Sequence, residues 1–131
     1  MQENIILDEN AKVYIALQDI GKSQVGRYLK ELKRTKPLLY KKTINAIAKL
    51  PIAHVNFINV KHLEHKGIKF YQLKVQSQSN ISRFFYKLEA PNTLVIYGFT
   101  KKTQQTDIRD LDYGIKLFQI YEENKLKIIY E

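Results

Sequence analysis

Cysteine is absent from the 131 residues, which excludes a disulfide framework and any thiolate metal site. No apolar run approaches the roughly 20 residues that span a bilayer. Met1-Gln2-Glu3-Asn4 has neither the basic start nor the apolar stretch of a secretory signal. A cytoplasmic protein with no membrane partner is therefore expected. The five glycines are scattered, so no glycine loop can cradle a nucleoside triphosphate, and no serine sits in a recognisable nucleophile motif. Repeats, low-complexity tracts and Pro/Gly-rich linkers are also missing. The length suits one modest core, so residues 1–131 are expected to form a single domain.

Acid is scarce where base is plentiful. Residues 12–87 hold sixteen Lys/Arg against Asp19, Glu31 and Glu64, whereas residues 101–131 hold six of each sign. A basic body of this kind suits a polyanionic partner, either nucleic acid or an acidic protein.

The hydrophobic pattern orders the chain. Residues 11–18 are rich in β-formers and predict a first strand. Ser23 can cap a helix whose stripe is Val25, Tyr28, Leu29 and Leu32. Pro37 can open a second helix with an apolar face of Tyr40, Ile44, Ile47 and Ala48, and Pro51 should end it. Residues 52–68 show no clear pattern. From Lys69 the period becomes two, with Tyr71, Leu73 and Val75 opposite Gln72, Lys74 and Gln76. After a polar turn at residues 76–80, a return strand alternates Ser82, Phe84, Tyr86 and Leu88 with Ile81, Arg83, Phe85 and Lys87. A turn at Ala90-Pro91-Asn92 leads to a third strand over residues 93–99. Thr106 can cap a last helix with Asp107 and Asp110 in its positive first turn and the stripe Ile108, Leu111, Ile115, Phe118 and Tyr121. The expected class is α+β, in the order β-α-α-β-β-β-α. Its small, mainly antiparallel sheet would carry the helices on one face, leaving Lys74, Arg83 and Lys87 on the other.

Within residues 80–106, NISRFFYKLEAPNTLVIYGFTKKTQQT, Arg83 precedes Phe84-Phe85-Tyr86, and the run Gly98-Phe99-Thr100-Lys101-Lys102-Thr103-Gln104-Gln105-Thr106 reads GFxKKTxxT. Both features resemble the RelE/HigB toxins, in particular their phage-derived HigB-like branch, and the resemblance extends over roughly residues 11 to 122 in the same element order. It departs at Gln72-Leu73-Lys74, where the family often has Glu-Leu-Arg. Charge survives there, but the bidentate fork of arginine does not. The resemblance implies a RelE-like fold and the toxin of a type II toxin–antitoxin pair. Such a toxin is an endoribonuclease that cleaves mRNA, commonly in the ribosomal A site. It also implies a helix-turn-helix, HigA-like antitoxin as partner, and no cofactor.

Cleavage of this class uses the ribose 2′-OH to attack the adjacent phosphate, so the enzyme must manage two protons and stabilise charge at phosphorus. Arg83 suits the charge, with Lys101, Lys102 and Lys74 as the other catalytic candidates. Crowded cations should depress lysine pKa values, one route to a lysine acid or base. Lys87, Gln76, Thr103 and Gln104 are candidates for RNA binding, and Tyr71, Tyr86 and Tyr97 for stacking or proton donation. His62 and His65 flank Glu64 without a third ligand, so no metal site is expected. Two other readings share the scaffold: a ParE-like toxin that inhibits gyrase without catalysis, and a phage-derived RNA-binding module that has lost activity.

Overall fold

The computed structural model describes residues 11–53, 59–89, 91–101 and 107–130. The elements run β1 (Val13–Ala16), α1 (Gln24–Thr35), α2 (Pro37–Ala53), β2 (Val60–His65), β3 (Ile68–Ser77), β4 (Asn80–Glu89), β5 (Asn92–Lys101), α3 (Ile108–Asn124) and β6 (Lys127–Ile129).

Local chemistry explains most of these boundaries. Ser23 caps α1, its hydroxyl accepting the Gly26 N–H at 3.1 Å. Val25, Leu29 and Leu32 form the buried stripe of that helix, and its charged residues face outward. Pro37 opens α2. The helix continues past Pro51 to Ala53, because a proline so near the end removes one ladder bond that the last turn can forgo. The buried face of α2 is also rotated from the expected one. Leu39, Thr43, Ile47 and Leu50 lie inward, while Ala48 is exposed and Ile44 half-buried. Asp107 caps α3, accepting the Arg109 N–H, and Lys125 ends it in a left-handed conformation.

Residues 60–65, within the stretch that lacked a pattern, form β2 as an edge strand paired with β3 from Val60↔Leu73 to His65↔Ile68. The connecting residues Lys66 and Gly67 both have positive φ (51° and 80°), the conformation of a two-residue type I′ hairpin. The β3–β4 turn is equally tight, since Ser77 pairs with Asn80 across Gln78 and Ser79.

The sheet order is β2-β3-β4-β5-β1-β6, antiparallel except for β1 beside β5. The α+β class stands, with six strands where four were expected. The helix layout differs. On one face α1 and α2 enclose Val13, Ile15, Leu73, Val75, Phe84, Tyr86 and Val95. On the other, α3 packs Ile115, Phe118 and Tyr121 against Phe70, Phe85, Leu94 and Ile96. Helices thus cover both faces. The physical cause is visible in β4, where residues 81–86 are all buried. A strand whose inward and outward residues are both apolar needs a cover on each side. Among the described residues, no helix is long and apolar enough to cross a membrane.

Candidate functional site

The β3–β4–β5 meander sets three of the expected cations side by side. Lys74 pairs with Arg83 across β3 and β4, Arg83 pairs with Phe99 of β5, and Ile81 pairs with Lys101. Alternation therefore puts Lys74, Arg83 and Lys101 on one face, together with Tyr97 and Phe99. Lys101 and Tyr97 are the two diagonal neighbours of Arg83, about 7–8 Å away at the backbone. This is the face that α3 covers, and the first turn of α3 closes one side of the cluster.

Arg83 departs most from expectation. It is 1 % exposed and lies beneath the surface instead of facing outward on an uncovered sheet. Desolvation lowers its pKa from the ordinary guanidinium value, and the field of Asp110 opposes that shift. Lys101 Nζ is held by Asp107 at 3.2 Å and by Asp110 at 3.1 Å. Desolvation lowers its pKa, but the hydrogen bonds and charges of Asp110 and Asp107 together outweigh that and raise it. The expected depression by neighbouring cations is therefore reversed at Lys101 by two carboxylates from α3.

The Tyr97 hydroxyl donates to Asp110 at 2.8 Å. Burial, with Asp110 beside it, pushes its pKa well above the ordinary phenol range. Its ring stacks on Phe99 (4.7 Å between centroids) and meets Tyr113 edge-on (5.1 Å). Backbone and side-chain hydrogen bonds from Arg109, then Lys101, hold the Asp107 carboxyl down at about 2. The sequence marked Asp107 and Asp110 as helix-start residues. What it could not show is that the same carboxylates would reach across to Lys101.

The other candidates are dispersed. Lys87 lies four residues along β4 from Arg83, about 13 Å, with Nζ over the Phe118 ring at 5.6 Å. It covers the α3 core and is no neighbour of Lys101. Gln76 is exposed one alternation beyond Lys74, its amide donating to the Gln78 carbonyl at 3.2 Å. Lys102, Thr103, Gln104 and the expected cap Thr106 lie outside the described residues. Tyr71 and Tyr86 stack on each other on the opposite face (5.4 Å). His62 stacks on Tyr71 (4.9 Å) and His65 Nε2 lies 2.8 Å from Asp112. No group of three metal-ligating side chains occurs among the described residues.

Gly98, the first residue of the GFxKKTxxT run, has a packing explanation. A Cβ there would lie 2.6 Å from the Phe84 ring and 2.8 Å from that of Tyr28. The gap lets Gln24 of α1 clasp the strand: its amide nitrogen donates to the Gly98 carbonyl (2.7 Å) and its oxygen accepts the Gly98 N–H (2.9 Å). Tyr28, hydrogen-bonded through its hydroxyl to Thr100, has its pKa pushed by burial to about 12. The motif glycine thus anchors α1 behind the strand that presents Lys101.

A protein-family model described as Phage derived protein Gp49-like (DUF891) matches residues 16–119. No curated protein and no solved structure matches the chain.

Proposed function

This chain belongs to the phage-derived Gp49-like family, within the RelE/HigB-like toxin superfamily, and on that premise we propose that it is the toxin of a type II pair and an endoribonuclease acting on mRNA in the ribosomal A site. One observation carries the reading: three cations on three adjacent strands share one face, with a nearly inaccessible arginine between two lysines. A buried guanidinium is costly to keep. Perturbed charge of this kind concentrates at functional sites.

The geometry supports a division of labour. Lys74 and Lys101 hold the scissile phosphate, and Arg83 adds positive field from beneath, where low polarizability strengthens it. The raised pKa of Lys101 keeps it an ammonium at neutral pH. It therefore stabilises charge as the 2′-oxygen attacks phosphorus and the 5′-oxygen leaves. Tyr97, likewise raised, keeps its proton and can serve as donor but not as base. Asp107, held at about 2, is too weak a base to remove the 2′ proton efficiently. The proposed site comprises Arg83, Lys101, Lys74 and Tyr97. Lys102, Thr103, Gln104 and Gln76 are assigned to the flanking RNA, and a HigA-like antitoxin is the proposed partner in the cytoplasm.

The test is brief expression in bacteria followed by mapping of mRNA 5′ ends, beside Arg83→Met and Lys74→Ala variants. Met fills the arginine's volume without charge, and Lys74 is only half-buried. Frame-dependent cuts lost in both variants, with the folded state intact by circular dichroism, are the expected result. Intact mRNA accompanied by gyrase-linked DNA damage refutes the nuclease in favour of a ParE-like toxin. Intact mRNA without toxicity leaves a module that has lost catalysis.

A further inference from the structure

On the other flank of α3 lies a groove of about 530 Å³, lined by Gln18, Asp19, Lys22, Arg27, Tyr113, Lys116, Leu117 and Ile120. Its volume falls within the ~300–1,000 Å³ range of small-ligand sites. One wall is the loop from β1 to α1, shaped by a turn in which the Lys22 N–H donates to the Asp19 carbonyl at 3.0 Å and Gly21 has φ 72°. That φ is the one a type II turn requires at its third position. The opposite wall is the Tyr113–Ile120 side of α3.

Its position ties it to the cationic face. Because β1 runs parallel to β5, the loop leaving β1 lies at the same end of the sheet as Lys101. Tyr113 bridges the two regions, meeting Tyr97 edge-on while remaining 40 % exposed to the groove. From Lys74 on β3 to the β1 position, the track crosses three strand spacings, about 14 Å. Three cations, Lys22, Arg27 and Lys116, face one acid. That acid is partly engaged, Asp19 accepting the Ile20 N–H at 2.8 Å. Gln18 supplies a further polar group. Its oxygen accepts the Gln24 N–H at 2.7 Å, which fixes the orientation of the amide and leaves Nε2 as a buried donor with no hydrogen-bond partner among the described residues.

We propose that this groove is a nucleotide subsite for single-stranded RNA. A strand held on the Lys74–Arg83–Lys101 face continues past α3, lays one base on Tyr113 and sets its phosphate among Lys22, Arg27 and Lys116. The proposal rests on the RNA reading above and extends the footprint beyond the scissile phosphate. An aromatic ring with cations around it is the usual platform for an unpaired base. The apolar floor spans Tyr113 to Ile120, about 10 Å of helix. That suits a base better than the long stripe of an amphipathic acidic helix.

The probe is a short fluorescein-labelled oligouridylate with 2′-O-methyl riboses, which binds but cannot be cleaved, read by anisotropy against salt. For single strands each phosphate contact contributes about 0.7 to the log–log salt slope, so Arg27→Ala/Lys116→Ala, which releases the one phosphate in the groove, should reduce it by about 0.7. Lys41→Ala/Lys42→Ala, exposed on α2, which lines no part of the groove, should leave it unchanged. Tyr113→Leu should weaken binding by about five- to 150-fold, whereas Tyr113→Phe keeps the ring and the affinity. If wild-type protein fails to bind the probe, the RNA reading falls and this one with it. If Lys74→Ala weakens binding while the groove variants do not, the subsite alone is overturned. A polyglutamate peptide that loses binding in Arg27→Ala/Lys116→Ala, with RNA affinity unaffected, overturns it in favour of a protein partner.

Discussion

Replacing Gly114 with alanine should loosen α3 from the sheet and disturb the cluster at its first turn. Gly114 faces Phe85, and a Cβ at that position would lie 2.5 and 2.7 Å from two atoms of the Phe85 ring. The ring cannot swing aside easily. Phe70 (4.9 Å), Tyr97 (5.5 Å) and Phe99 (5.4 Å) surround it, and it is fully buried. Overpacking of this kind costs about 1–3 kcal/mol, and so rigid a neighbour places the cost at the upper end. Alanine returns about 1 kcal/mol in helix propensity. The net loss is about 2 kcal/mol, a fall in Tm of about 6–8 °C for a chain of this length. In urea, with a slope near 2 kcal/mol/M, the midpoint drops by about 1 M. Asp110 lies one turn before Gly114, so cleavage should fall as well. The control is Phe85→Leu, which removes the ring. In that background Gly114→Ala should be neutral or stabilising, a coupling well above the ~0.5 kcal/mol expected of independent sites. A Gly114→Ala protein as stable as wild type refutes the argument that α3 is seated by this contact.

Thr43 and Ser82 share a buried hydroxyl pair at 2.8 Å. Thr43→Val should cost about 1–3 kcal/mol in chemical denaturation by stranding Ser82, and adding Ser82→Ala should recover most of it. Asp107 ionises more readily folded than unfolded, its carboxyl moving from 3.8 to about 2. Its contribution is therefore complete above pH 3.8 and lost as pH falls through about 2. Asp107→Asn, which still caps α3, should flatten the decline of Tm with acid in that window; an unchanged slope would sink the assignment. Lys87→Ala should lower stability by about 0.5–1 kcal/mol through the lost contact with Phe118 yet leave RNA cleavage intact. A large loss of cleavage would return Lys87 to the site.

The sequence pattern disclosed the meander, because alternation in β3 and β4 separates Leu73 and Phe84 cleanly from Lys74 and Arg83. It disclosed α1 through Ser23 and its stripe. It concealed β2, since an edge strand reading Val-Lys-His-Leu-Glu-His has no buried residue. The placement of α3 was hidden by Ile108, counted as core but 57 % exposed. The signal for two-sided burial was nonetheless present in Phe84-Phe85-Tyr86, where both faces of one strand are aromatic. Two aromatic faces on one strand call for a cover on each, and Arg83 on that strand then lies beneath one of them. The ion pairs of Lys101 were beyond reach, because they depend on where α3 begins in space and not on any residue's type.

The parallel seam between β1 and β5 also sets a timetable for folding. Lys12 and Asn92, hydrogen-bonded at its margin, are 80 positions apart in the chain. Closing so long a loop is slow, and such contacts form after local ones. The hairpins from β2 to β5 can assemble early, each across a two-residue turn or a short loop. β1 must wait for β5 to be synthesised, and β6, which flanks it, follows α3. β1 therefore stays unpaired while the residues up to β5 are added, at about 5–20 per second. A nascent chain would hold Lys74 and Arg83 in a forming meander well before α3 can bring Asp107 and Asp110 to Lys101. Maturation of the site therefore waits on α3, which seats both carboxylates against Lys101.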